Sequence, residues 1–229
     1  MIAIGHRGAR GHEPENTLRS VRRALELGAA AIEVDVHFVK GELLVFHDTT
    51  LDRTTSGRGR LTRKSLAELR ALDAGKGERI PTLREVFDAV NRRVWINVEL
   101  KGRGTAGPVA ELIHEYVRER GCRAEDFLVS SFRRRELREF CKVADRDIRV
   151  GVLFARSARR FASAAAQFRA YAIHPPLRWT TRRLVERAHA LGLKVFVYTV
   201  NAPADIARMR ECEVDGVFSD FPERVCAAD

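Results

Sequence analysis

Short runs rich in Val, Ile and Phe alternate along the chain with stretches in which Arg and Glu recur on one helical face. The runs predict strands at 2–5, 31–36, 94–100, 127–131, 148–154, 170–174, 194–200 and 216–219. The intervening stretches predict helices near 16–27, 82–92, 107–120, 133–143, 157–167, 180–191, 203–211 and 221–227. Helix starts are marked by Asn16 and Thr17, by Thr82 after Pro81, and by Thr180-Thr181. Gly28, Gly121 and Gly192 are placed to end helices. One segment departs from the alternation. Residues 42–46 read as an extra short strand, and 48–80 as a polar, Gly-rich insertion with one short helix near 65–72.

Alternating strands and helices give an α/β protein with a parallel sheet and right-handed crossovers. Eight units close into a (β/α)8 TIM barrel. A doubly wound sheet uses the same alternation and is the competing fold. With 229 residues, the chain reads as a single domain over 1–229 carrying the insertion after the second strand.

Composition removes several classes. Hydrophobic residues make up 45% and charged residues 31%, a globular balance. No window approaches 18 uncharged apolar residues, so no transmembrane segment is expected. Met1 leads directly into the first strand without a basic or apolar leader, so no signal peptide is expected. Cys122, Cys141, Cys212 and Cys226 show no C-x-x-C spacing. That argues against a disulfide scaffold or zinc-thiolate site and for a cytoplasmic protein with reduced thiols.

The formal charge is +10, from 41 basic and 31 acidic residues. A basic nucleic-acid-binding protein is therefore one reading. It needs basic residues clustered with aromatics. Instead Arg133-Arg134-Arg135, Arg159-Arg160 and Arg182-Arg183 lie beside Glu, Ala or Thr on outward helices, and no nucleic-acid partner is expected.

In a barrel, chemistry gathers where strands end. The first strand delivers His6-Arg7-Gly8. Glu33 and Asp35, two residues apart on the second, project from one face. The extra strand delivers His47-Asp48. Asn97, Glu99 and Lys101 alternate on the next. Three bare carboxylates are costly to bury. One divalent cation offsets that cost, and an all-oxygen set suits Mg or Ca rather than zinc. Two histidines exchange protons near neutral pH, and Arg7 and Lys101 suit a phosphate. Together these point to phosphoryl chemistry. Asp48 fits a metal contact, an orienting group or a turn cap. Asn16 is expected to cap the first helix. His12, His37, His114 and His189 are expected to be structural or exposed. His174, Phe132, Trp179 and Tyr198 are placed to line a substrate pocket.

Several motifs occur in order along essentially the whole chain. They are His6-Arg7-Gly8, Pro14-Glu15-Asn16-Thr17, Glu33-Val34-Asp35, His47-Asp48, Leu51-Asp52-Arg53-Thr54-Thr55, Asn97-Val98-Glu99-Leu100-Lys101, Thr199-Val200-Asn201 and Asp215-Gly216-Val217. In this pattern the chain resembles the glycerophosphodiester phosphodiesterase family. The resemblance implies a metal-dependent TIM barrel that cleaves glycerophosphodiesters to glycerol 3-phosphate and an alcohol. It implies His6 and His47 as the acid/base pair and Glu33, Asp35 and Glu99 as metal ligands. It implies Arg7 and Lys101 as phosphate ligands, with Phe132 and Tyr198 against the substrate. The expected enzyme is a monomer or homodimer acting on a small-molecule phosphodiester. Two departures stand out: Lys40-Gly41 replaces the usual Asp-Gly turn, and Tyr198 stands where Trp is common. A lysophospholipase D or sphingomyelinase D-like enzyme is the near alternative, and it requires an apolar access groove.

Overall fold

A computed structural model describes residues 1–155 and 161–226. Eight parallel strands form the barrel: β1 (Ile2–His6), β2 (Ala31–Val39), β4 (Trp95–Leu100), β5 (Phe127–Ser131), β6 (Arg149–Leu153), β7 (Ala172–His174), β8 (Lys194–Val197) and β9 (Gly216–Ser219). β1 pairs with both β2 and β9, which closes the sheet and excludes the doubly wound alternative. β3 (Glu42–Val45) lies antiparallel on β2. Lys40 and Gly41 join them, both at positive φ (53° and 83°). A two-residue hairpin turn of this hand needs that conformation at both positions, and Lys supplies it less readily than Asp or Asn.

Helices α1 (Leu18–Glu26), α3 (Leu83–Val90), α4 (Ala106–Glu119), α5 (Arg134–Val143), α6 (Phe161–Phe168), α7 (Arg182–His189), α8 (Pro203–Glu211) and α9 (Pro222–Cys226) cover the barrel. Residues 157–160 and 227 of the expected helices, with Arg159-Arg160, lie outside the described residues. Thr17, Thr82 and Thr181 cap α1, α3 and α7, each accepting a backbone N–H three residues on. Thr17, not Asn16, is the cap of α1, which corrects one expectation. Asn16 turns inward at φ 59°.

Strand alternation divides the interior into layers. Outward residues such as Ile32, Val34 and Val36 pack under the helices. Inward residues Ile4, Ala31, Leu128, Ala172, Phe196 and Phe218 fill the lower barrel. His174 is fully buried there, its ring 5.1 Å from Phe218 and 5.7 Å from Phe196. Burial pushes its pKa down to about 3, so it stays neutral. It therefore packs below the pocket. Trp179 sits half-exposed on a short 3-10 turn, away from the pocket lining.

The insertion has its own small core. Leu51, Leu61, Leu69 and Ile80 pack on Leu44 and Phe46. Its short helix α2 (Leu66–Ala71) begins with a Ser65–Glu68 capping box. This core fixes the segment against the C-terminal mouth of the barrel.

Candidate active site

Register builds the mouth. In the parallel ladders His6 lies beside Glu33, Glu33 beside Asn97 and Asp35 beside Glu99. These side chains share the inward face above the apolar plug. One carboxylate oxygen each from Glu33, Asp35 and Glu99 lies within 4.8 Å of the others, and all three residues are buried.

Charges so crowded perturb one another. Burial, then Asp35 and Glu99, push the Glu33 pKa well above the usual carboxylate range. Burial pushes Glu99 to about 7 despite the neighbouring Lys101 ammonium. Burial opposes ionisation of Asp35 too, but Lys101 and Arg7 outweigh it and hold its pKa well below the usual range. Glu33 Oε1 is buried without a hydrogen-bond partner among the described residues. An orphaned oxygen within an all-carboxylate cluster fits a hard divalent cation.

Both histidines are oriented by carboxylates. His6 Nδ1 lies 2.7 Å from Asp220 Oδ1, and the other Asp220 oxygen accepts from Asn201 Nδ2 at 2.9 Å. His47 Nδ1 lies 2.5 Å from Asp48 Oδ1. Asp48 is thus the orienting group among its three expected roles. In each ring Nε2 has no hydrogen-bond partner among the described residues, and both rings line the cavity. Burial lowers both imidazole pKa values, an effect only partly offset by Asp220 at His6 and by Asp35 and Asp48 at His47. Burial favours the neutral ring, the form that takes a proton, and the carboxylate partner favours the charged ring, the form that gives one.

Arg7 and Lys101 balance the carboxylates. Arg7 adopts φ 54°, which lets its backbone N–H donate to Glu33 Oε2 at 2.8 Å. Its guanidinium pairs with Glu15 at 2.7 Å and Asp35 at 3.1 Å. Lys101 Nζ lies 2.7 Å from Glu99 and 3.2 Å from Asp35. The same ammonium lies 5.6 Å from the centre of the Phe132 ring. Phe132 meets Tyr198 edge-on at 5.7 Å. The Tyr198 hydroxyl donates to the Phe154 carbonyl at 2.5 Å. A cavity of about 290 Å³ is lined by every site residue that the resemblance implies except Asp35, which is buried just behind.

The model of the glycerophosphoryl diester phosphodiesterase family matches residues 6–224. The chain belongs to that family. It is 37% identical over 236 residues to a glycerophosphodiester phosphodiesterase of Caldanaerobacter subterraneus subsp. tengcongensis, covering 97% of this chain and 95% of the relative. A Bacillus altitudinis glycerophosphodiester phosphodiesterase is 34% identical over 235 residues, covering 96% of this chain and 95% of the relative. The solved structure of an Oleispira antarctica phosphodiesterase, in complex with the product sn-glycerol-3-phosphate, superposes with a TM-score of 0.91. It is 29% identical and covers 100% of this chain and 96% of that one. Membership and fold make this chain an enzyme, a glycerophosphodiester phosphodiesterase.

Sequence reasoning missed Glu15, Asn16, Arg53, Asn201 and Asp220. Asn16 Nδ2 donates to Asp35 Oδ2 at 2.9 Å, and its carbonyl accepts from Asp35 N at 3.2 Å. Asn201 and Asp220 follow the ends of β8 and β9. The rule that singled out His6 and Lys101 reaches them as well.

Proposed function

We propose that this enzyme hydrolyses glycerophosphodiesters to glycerol 3-phosphate and an alcohol, with one divalent cation and His6 and His47 as the acid/base pair. One observation carries the reading: a cluster of three buried carboxylates, two of them lining a single cavity, meets two carboxylate-anchored histidines there. The product named for the Oleispira antarctica structure supports it.

Glu33, Asp35 and Glu99 would hold the cation, Mg or Ca. Bound there, it supplies Lewis-acid charge next to the phosphoryl group. Arg7 and Lys101 bind the phosphate oxygens, and Phe132 and Tyr198 pack against the substrate. One histidine takes the proton of the glycerol 2-hydroxyl as its oxygen bonds to phosphorus. The other protonates the leaving alkoxide as its P–O bond breaks. A cyclic phosphate results, and water opens it with the proton roles exchanged. The substrate is a small phosphodiester, the active form a monomer or homodimer, and the setting cytoplasmic. Free thiols at Cys122, Cys141 and Cys212 support that setting. Among the described residues no helix is long and apolar enough to cross a membrane.

The test is release of glycerol 3-phosphate from glycerophosphocholine. It should require divalent metal and vanish in His6→Ala and Glu33→Ala. Parental rates in both variants under chelator would overturn the reading. A lysophospholipase D-like activity is the second reading, because Ala155, Pro176, Leu177 and Tyr198 line a groove beside the pocket. Arg178 and Arg208 share that lining and make it less suited to an acyl chain. Cleavage of lysophosphatidylcholine faster than glycerophosphocholine would favour this second reading.

A further inference from the structure

The motif 51–55 carries one residue that the chemistry above leaves without a role, Arg53. All three of its nitrogen groups are engaged. Nε donates to Asp48 Oδ2 at 2.6 Å, Nη1 to Glu15 Oε2 at 2.8 Å and Nη2 to Glu15 Oε1 at 2.7 Å. Asp48 is the carboxylate on His47. Glu15 is the partly buried carboxylate on Arg7. An unbroken chain of charged hydrogen bonds therefore runs Arg7–Glu15–Arg53–Asp48–His47 across the mouth. The carrier turn is anchored: Leu51 is fully buried in the insertion core, and the Thr55 hydroxyl donates to its carbonyl at 2.8 Å.

We infer that Arg53 is a positioning residue that holds His47 and Arg7 in register with each other, and that this is how the insertion serves the reaction. The inference rests on the reading of His47 as part of the acid/base pair. A planar guanidinium matches two carboxylates at fixed angles, which a lysine ammonium cannot do. Without that fork Asp48 turns freely, and the His47 ring loses the group that sets its tautomer and direction. The Arg53 side chain is 44% exposed, so its ion pairs add little to stability. Its effect belongs in the rate.

The experiment measures kcat, KM and melting temperature on glycerophosphocholine with saturating Mg for Arg53→Ala, Arg53→Lys, Asp48→Asn, the Arg53→Ala/Asp48→Asn double variant and His47→Ala. Losing a group that orients a metal ligand costs on the order of tenfold to a hundredfold in activity, and the same order is expected for one that orients His47 through Asp48. Arg53→Ala is expected to lose that much in kcat with KM and melting temperature nearly unchanged. Arg53→Lys should fall between it and the parent. The double variant should lose no more than Asp48→Asn alone, since both break one unit. Arg53→Ala within about twofold of the parental kcat, or losses that simply multiply in the double variant, would overturn the inference. A fully active His47→Ala would instead sink the reading of the site itself.

Discussion

A carboxyl group buried beside two others holds its proton tightly, and Glu99 shows the consequence. Its pKa is pushed to about 7 from an ordinary 4.5. The folded protein then binds more protons than the unfolded chain between those values, so without metal this site loses stability as pH rises through that window. A cation held there would select the ionised form, restore the loss and expel the proton. Calcium titrated calorimetrically into metal-free protein in two buffers should therefore release protons near pH 6 and far fewer at pH 8. Glu99→Gln should release fewer at pH 6. A release independent of pH would contradict this. Such residues were legible in the sequence because Glu33, Asp35 and Glu99 follow a two-residue period at strand ends. The pairings of Asp220 and Arg53 were not. Their partners, His6 and Glu15, are 214 and 38 residues away, and only closure of the barrel and docking of the insertion bring them together.

At the scale of elements, one helix finishes another. Thr105 at the start of α4 makes no side-chain cap. The carboxylate of Glu136, from the first turn of α5, accepts instead from the N–H groups of Gly104 at 3.2 Å, Thr105 at 3.1 Å and Ala106 at 3.4 Å. Negative charge on those helix-start donors is stabilising. Glu136→Ala should cost about 1–3 kcal/mol in urea unfolding, the penalty for leaving buried N–H groups unpaired. A loss under about 0.5 kcal/mol would mean that water or Thr105 replaces the cap. Local caps such as Thr17, Thr82 and Thr181 can be read from a few neighbouring letters. A cap borrowed from the next helix cannot. Asn16 misleads for a related reason: an Asn before Thr looks like a cap, while its attachment to Asp35 depends on β2 packing beside α1. Strand ends were read long at β6, β7 and β8, where the apolar runs continue past the paired residues.

At the scale of the whole molecule, the alternation of strand and helix limited the fold to two topologies, and the pairing of β1 with β9 decides between them. The +10 charge acts at the same scale. Its local share at the cavity, Arg7, Arg10 and Lys101, is already paired with carboxylates, while the other described arginines lie away from the cavity lining. A net positive surface draws an anionic diester from beyond contact range and is screened within about 10 Å at 0.1 M salt. Raising ionic strength from low to about 0.3 M should lower kcat/KM and leave kcat nearly constant. A salt-insensitive kcat/KM would show that encounter is not steered. Barrel closure has a further meaning during synthesis. His6 precedes its anchor Asp220 by 214 residues. The nascent chain therefore carries half of an anchored histidine through the synthesis of every strand between them, and it gains the complete site only when β9 leaves the ribosome and joins β1.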